Sequence, residues 1–398
     1  MSTTPERIAM VAHALEVGGM ESMFFGLARG LRALGADVTL VVTERRGAWH
    51  SRPRQEDFAR TDLVPPPWWS RRRHALEVAR CLRPYDAVLL HHSRSAQSGL
   101  GLLGERSVAV SVLHNDDEAI FRVGLGNADN LDWAVAVSPV VQERALEQGA
   151  EAERLLCIAN GVEVPASYPK AAARRGTAPL RLVFLGRLEQ RQKGILDLPD
   201  ILARVLAAGL EVRFDVIGAG GADAALLRQR LAALLPPERL CFHGNVPHPA
   251  AMELLQQADL CLLPSRFEGA PMVVLEAMAR GVVPVASRLP GSTESLCRDG
   301  EEGFLPAAGD TEAFAAAILR LGRDPALWAR LSHAAWERTR RDFGSERMAR
   351  RYLDLVQGGR GTARARSGKL YLPLLGPASF VPEGLRRGLV ALADRRRG

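Results

Sequence analysis

ADLCLLPSRFEGAPMVVLEAMARGVVPVAS, residues 258–287, reads as a strand, a short loop, a helix and a second strand. The apolar runs 260–263 and 282–286 have the length and composition of buried strands. Between them, Pro271 suits the first position of a helix, where its missing N–H would have no partner. The N–H groups of Met272, Val273 and Val274 then lack an intrahelical carbonyl and point out of the helix start, which fits an anion such as a diphosphate. Glu268 lies in the loop, and Glu276 lies one turn beyond Met272 on the same side, so both carboxylates can face one ligand. Burying Glu276 unpaired within MVVLEAMA would be costly, so a ligand contact stands against a helix-dipole or surface role.

The same alternation of short apolar runs and helical patterns continues in both directions, which predicts parallel sheets covered by helices on both faces. Strands are expected at 7–15, 37–43, 87–91, 108–113, 133–137 and 155–158, then at 181–185, 212–217, 240–242, 260–263, 282–286 and 303–305. A helix over 20–34, closed by Gly35, follows the first strand. The pattern divides into a first domain over 1–164, a Pro/Lys/Arg/Ala/Gly linker over 165–179 and a second domain over 180–343. A helix over 344–357 is expected to return to the first domain, and a basic tail, partly helical or disordered, covers 358–398. Ligands on such doubly wound sheets bind at the carboxyl ends of the strands, so the cleft between the domains is the expected site.

Several segments fall at those strand ends. Leu185-Gly186-Arg187-Leu188 follows the first strand of the second domain, with Lys193-Gly194 just beyond. Fixed cations there can stabilise the charge that develops on a departing nucleoside diphosphate: Arg187 as a bidentate fork, Lys193 as a point charge. Arg191, between them, is a competing candidate. Gly18-Gly19 opens the helix after the first strand, where glycine lets backbone approach a ligand. Leu113-His114-Asn115-Asp116 ends another strand. Gly218-Ala219-Gly220-Gly221 has part of a dinucleotide fingerprint, but Asp223 occupies the place of its third glycine.

Glu268 and Glu276, seven residues apart in this setting, resemble the signature of retaining GT-B glycosyltransferases of the family 4 type. The resemblance runs from about residue 8 to residue 356. It implies two Rossmann-like domains facing a cleft, a nucleotide-diphospho-sugar co-substrate and no metal or other cofactor; Asp-x-Asp occurs nowhere in the chain. It further implies that Glu268 contacts the donor sugar, Glu276 the ribose, and Arg187 and Lys193 the diphosphate. His114 would touch the sugar, Gly18 and Gly19 would face the donor phosphates and the acceptor, and Val246, in His243-Gly244-Asn245-Val246, would lie on the base. Gly218, Gly269, Ala270, Met272 and Val273 complete the implied donor-binding set. Asn160-Gly161-Val162 resembles the start of the interdomain linker. Pro290-Gly291-Ser292-Thr293-Glu294 departs from the family's Gly-Gly-x-Pro-Glu and keeps only Gly291 and Glu294.

Composition bounds the remaining readings. With 398 residues, 47% hydrophobic and 24% charged, the chain is long enough for roughly two or three packed domains. No signal peptide and no membrane-spanning run is read, and the five scattered cysteines fit reduced thiols, so a cytoplasmic protein is expected. The tail from Gly358 holds nine Lys/Arg against two acids, which alone equals the net charge of +7. Residues 45–83 hold ten Arg against four acids. Such surface suits phospholipid headgroups or nucleic acid, or reflects a compositional bias; no nucleic acid is expected on the transferase reading. Trp68-Trp69 beside Arg71-Arg72-Arg73, and a tail with Leu385, Leu389 and Leu392 on one helical face, would suit the inner face of a membrane and a lipid-linked or envelope-glycan acceptor. A packed tryptophan loop and a frayed tail is the alternative. A GT-B phosphorylase, a nucleotide-sugar epimerase, an NAD-dependent oxidoreductase and a basic nucleic-acid-binding protein are the rival functions.

Overall fold

The computed structural model describes residues 6–14, 19–44, 58–170, 179–360, 365–376, 379–382 and 384–385. The first sheet contains β1 (Arg7–Ala12), β2 (Asp37–Val42), β3 (Ala59–Asp62), β4 (Ala87–His91), β5 (Val108–Leu113), β6 (Trp133–Ala136) and β7 (Leu155–Cys157). The second contains β8 (Leu180–Leu185), β9 (Val212–Ile217), β10 (Leu240–Gly244), β11 (Leu260–Leu263) and β12 (Val283–Ala286). Their orders are β3-β2-β1-β4-β5-β6-β7 and β10-β9-β8-β11-β12, with every described pairing parallel. The order reverses between β1 and β4 and again between β8 and β11, which opens a crevice at the carboxyl edge of each sheet.

These strands form where the sequence runs apolar without alternation, because helices cover both sheet faces. Every residue of β4 and β5 is buried. The expected strand at 303–305 is not a full one: Phe304 bridges Val285 and Ala307 bridges Arg288, both parallel, as isolated bridges beside β12. The Phe304 N–H donates to the Pro284 carbonyl and the Ala286 N–H to the Phe304 carbonyl, each at 3.0 Å, but Pro306 has no N–H to make the next bond, so the pairing stays broken into single bridges. Conversely, β3 (ARTD) was not expected, since an exposed edge strand carries no apolar run to announce it.

The helix after β1 spans Gly19–Ala33, and Gly35 closes it at φ +93°, a conformation only glycine takes freely. The C-terminal helix Ser345–Gln357 buries Met348, Ala349, Tyr352, Leu353 and Val356, an i, i+3, i+4 stripe. It returns to pack on the Gly19–Ala33 helix, so close that a Cβ on Gly30 would lie 2.6 Å from the Ala349 Cβ. The crossing point is held by Val162 and Ser345, whose N–H groups donate to the carbonyls of Phe343 and Val162 at 2.9 Å each.

Part of the basic tail is also docked. Arg366 is buried, with its guanidinium on Asp132 Oδ2 and the Ser107 carbonyl at 2.6 Å each and on the Asn130 carbonyl. Arg360 Nε donates to the other Asp132 oxygen at 3.0 Å. Two of the tail's cations therefore bind the protein's own acid, not an external anion. Leu389, Leu392 and the terminal arginines lie outside the described residues.

Candidate functional site

The facing carboxyl edges enclose a cavity of about 740 Å³. Its lining includes His114 and Gly19 from the first domain. The second domain adds Arg187, Lys193, Gly218, Val246, Glu268, Gly269, Ala270, Met272, Val273 and Glu276. Gly18 lies outside the described residues. Arg191 is exposed and outside this lining, whereas Arg187 and Lys193 belong to it.

Glu268 is buried and held by donors from two segments. Lys193 Nζ and Ser265 Oγ donate to its Oε1 at 2.5 and 2.7 Å, and Gln192 Nε2 donates to its Oε2 at 3.3 Å. Arg187 Nη2 donates to Gln192 Oε1 at 2.6 Å, so cation, amide and carboxylate form one chain across the cleft floor. Lys193 reaches this position because Gly194 ends its short helix at φ +60°, with the Pro264 carbonyl where a side chain would begin.

Glu276 is buried on the helix Met272–Ala279, where Ser22 Oγ donates to its Oε1 at 2.8 Å and His248 Nε2 lies 2.8 Å from the same oxygen. Burial would raise its pKa. The bond to and charge of His248, the Ser22 hydroxyl and the nearby Arg280 outweigh burial and hold the carboxyl below its ordinary value. Of the alternatives left open by the sequence, the surface carboxylate is excluded by this burial. Pro271 occupies the N-cap, one position earlier than expected, and its carbonyl accepts from the Val274 N–H at 3.0 Å. Val274 is thus not a free donor; Met272 and Val273 keep the helix-start positions facing the cavity.

His114 pairs with His91, Nε2 to Nδ1 at 2.9 Å, and the rings stack with centroids 5.1 Å apart. Burial, then the charge of His92, pushes the His114 pKa down to about 3, and burial with the charge of His114 depresses His91 well below its usual value. Both are neutral at physiological pH. His91 Nε2 is buried without a hydrogen-bond partner among the described residues. A bare lone pair there is cheaper than an orphaned N–H, so the assigned tautomer has His91 Nδ1–H donating and His114 carrying its proton on Nδ1.

The glycine turn after β9 has a packing cause. Gly218 adopts φ +140° and a Cβ there would lie 1.8 Å from the Gly186 carbonyl oxygen, while one on Gly220 would lie 2.0 Å from that of Leu188. Asp223, where the fingerprint would have glycine, accepts from the Gln190 N–H at 2.9 Å and ties the two loops together. The Pro290–Glu294 loop is not part of the cavity lining: the Gly291 carbonyl accepts from Val140 N–H at 3.2 Å and Glu294 pairs with Arg288. Gly269 closes the cleft elsewhere, with its carbonyl accepting from Ser138 Oγ at 2.7 Å.

Sequence reasoning missed Ser22, Gln192, His248, Ser265 and His91. Ser22 and His248 lie 254 and 28 residues from Glu276, so no local spacing announces them. Gln192 and Ser265 stood inside segments already singled out, and a polar residue beside an expected buried carboxylate was the available signal.

Two parallel-sheet domains with a charged crevice between their carboxyl edges define the GT-B class. A model described as Glycosyltransferase Family 4 matches residues 17–165 and one described as Glycosyl transferases group 1 matches 179–324, together about three quarters of the chain. The chain belongs to this glycosyltransferase family. It is 34% identical over 193 residues to a glycogen synthase of Mycobacterium tuberculosis, covering 48% of this chain and 45% of that protein. It is also 34% identical over 213 residues to a phosphatidyl-myo-inositol mannosyltransferase of Mycobacterium leprae, covering 52% and 54%. The chain thus spans about half the length of these curated relatives. Among solved structures, HepE of Anabaena, in complex with UDP and glucose, superposes with a TM-score of 0.72 at 20% identity over 89% of this chain and 100% of that one. Sucrose-phosphate synthase of Thermosynechococcus elongatus gives 0.68 at 20% identity over 89% and 98%.

Proposed function

We propose that the protein is a glycosyltransferase that moves a hexose from a nucleotide-diphospho-sugar to an acceptor hydroxyl with retention of anomeric configuration. The observation that carries this reading is the Glu268 carboxylate, fixed by Lys193, Ser265 and Gln192 on the cleft floor beside Arg187 and the Met272–Ala279 helix start. Glu268 and the neutral N–H of His114 would hold the sugar hydroxyls, and Glu276 the ribose. Arg187, Lys193 and the helix start would take the diphosphate, so the reaction would need no metal. The acceptor oxygen would bond to the anomeric carbon on the face from which the diphosphate leaves, its proton passing to the leaving phosphate oxygen. No enzymic nucleophile is assigned. HepE was solved with UDP and glucose, which makes UDP-glucose the first donor to try. The acceptor would be an envelope glycan or glycolipid on the cytoplasmic side.

The test is a screen of UDP-, GDP- and other nucleotide sugars with and without acceptors, including EDTA controls. Lys193→Ala is expected to lower turnover by about 10²–10³-fold, the loss that follows removal of one preorganised transition-state charge. Wild-type turnover in Lys193→Ala and in Arg187→Ala would overturn the diphosphate assignment. Phosphate-dependent turnover, or conversion of the donor alone to an isomer, would instead favour a phosphorylase or an epimerase.

A further inference from the structure

Two segments over 300 residues apart meet at the outer rim of the first sheet. The Gly384 N–H donates to the Pro67 carbonyl at 2.8 Å, Ser70 and Pro382 form an antiparallel bridge, and the Arg72 N–H donates to the Ser379 carbonyl at 2.8 Å. Arg71 Nη1 adds a bond to the Leu375 carbonyl at 3.1 Å. Residues 379–385 are thus laid along 67–72. The two paired segments carry three large apolar side chains that stay in solvent: Trp68 is 71% exposed, Phe380 70% and Leu385 65%. A soluble protein rarely collects such residues without an occupant for them.

The surroundings say what the occupant is. Arg71, Arg72 and Arg73 stand at the patch, and Arg73 lies 5.0 Å from the Trp69 ring centroid. Residues 64–74 contain no acid, and 379–385 contain only Glu383. Exposed apolar tips flanked by guanidinium groups match an anionic bilayer, whose headgroups take the cations while the acyl boundary takes the side chains. A nucleic-acid groove would use aromatic faces for stacking, and Leu385 gives no such face. We infer that Trp68, Phe380 and Leu385, with Arg71–Arg73, form a docking surface for an anionic phospholipid membrane.

The orientation follows from the topology. The loop 63–70 leaves the carboxyl end of β3, the same edge that carries His114 at the end of β5. A bilayer on this patch therefore lies at the sheet edge that also faces the cleft, where it could present a lipid-linked acceptor. That last step rests on the glycosyl-transfer reading; the docking itself does not. The tail half of the patch lies beyond the matched residues 17–165 and 179–324.

The test is co-sedimentation of the full chain with phosphatidylcholine vesicles, with and without roughly one third phosphatidylglycerol. Binding is expected only to the anionic vesicles and should weaken with salt. The Trp68→Ser/Phe380→Ser/Leu385→Ser variant should bind them roughly ten-fold or more weakly while keeping its circular dichroism and its donor turnover. Substitution of Arg71–Arg73 by Gln should remove the preference for anionic lipid. Absence of wild-type binding, or unchanged binding by both variants, overturns the proposal. So does a concentration-dependent dimer that the triple variant abolishes without any vesicle binding, since the patch would then serve a second copy of the chain. Because binding is read without substrate, its failure is distinct from failure of the transferase assay.

Discussion

At the residue scale the first domain's carboxyl edge depends on histidines kept neutral. His74, His91, His92 and His114 are all depressed, chiefly by burial, His92 to about 4 and His114 to about 3. Between these values and about 6.5 the unfolded chain binds protons that the native one refuses, so stability rises with pH across that window and falls on acidification. Each such group contributes up to about 1.4 kcal/mol per pH unit there. The melting temperature should therefore drop from pH 7 to pH 5, and His91→Asn should show a shallower drop than wild type. An identical slope in the variant would refute the role assigned to His91. Glu276, depressed below its ordinary value, has the same proton balance: its contribution is present above the unfolded pKa and disappears as pH falls through the folded one.

At the scale of elements, the site depends on how closely two loops approach. Gly218, at φ +140° against the Gly186 carbonyl, holds the end of β9 beside Arg187. Gly218→Ala combines a strained backbone with a direct clash, and the expected loss is about 1–3 kcal/mol. Because Arg187 sits on the displaced loop, nucleotide affinity should, on the proposed glycosyl-transfer reading, fall along with the melting temperature. Calorimetric titration with UDP or GDP checks this, and unchanged affinity in a destabilised variant would confine Gly218 to packing. The elements also show where local sequence misleads. β3 forms from ARTD because β2 offers a free edge, and 303–305 falls short of a strand because Pro306 has no N–H to carry the pairing with β12 further.

For the whole molecule, Asp132 anchors the tail to the first domain through Arg360 and Arg366. Asp132→Ala would leave the Arg366 guanidinium buried without its counter-charge, a loss on the order of 3–5 kcal/mol. Arg366→Ala is gentler, because Asp132 keeps Arg360 and the Ala109 N–H. Melting temperatures should fall in the order wild type, Arg366→Ala, Asp132→Ala; the reverse order would mean that the cation, not the acid, organises the contact. The basic charge of the tail had suggested an external anion, yet part of it serves this internal anchor.

The sequence by itself determined the two parallel sheets, since a strand covered on both faces must be apolar throughout and that composition is visible residue by residue. It also placed Glu268, Glu276, Arg187 and Lys193 at strand ends and a helix start, because those spacings are local. Only the tertiary structure decided what each carboxylate meets. Ser22 and His248 reach Glu276 through the packing of distant helices, and His91 reaches His114 through strand neighbours. Tertiary structure likewise paired the segment carrying Trp68 with the one carrying Phe380 and Leu385. Contacts across hundreds of residues are set by how the sheets twist and the helices pack, and no periodicity along the chain records them.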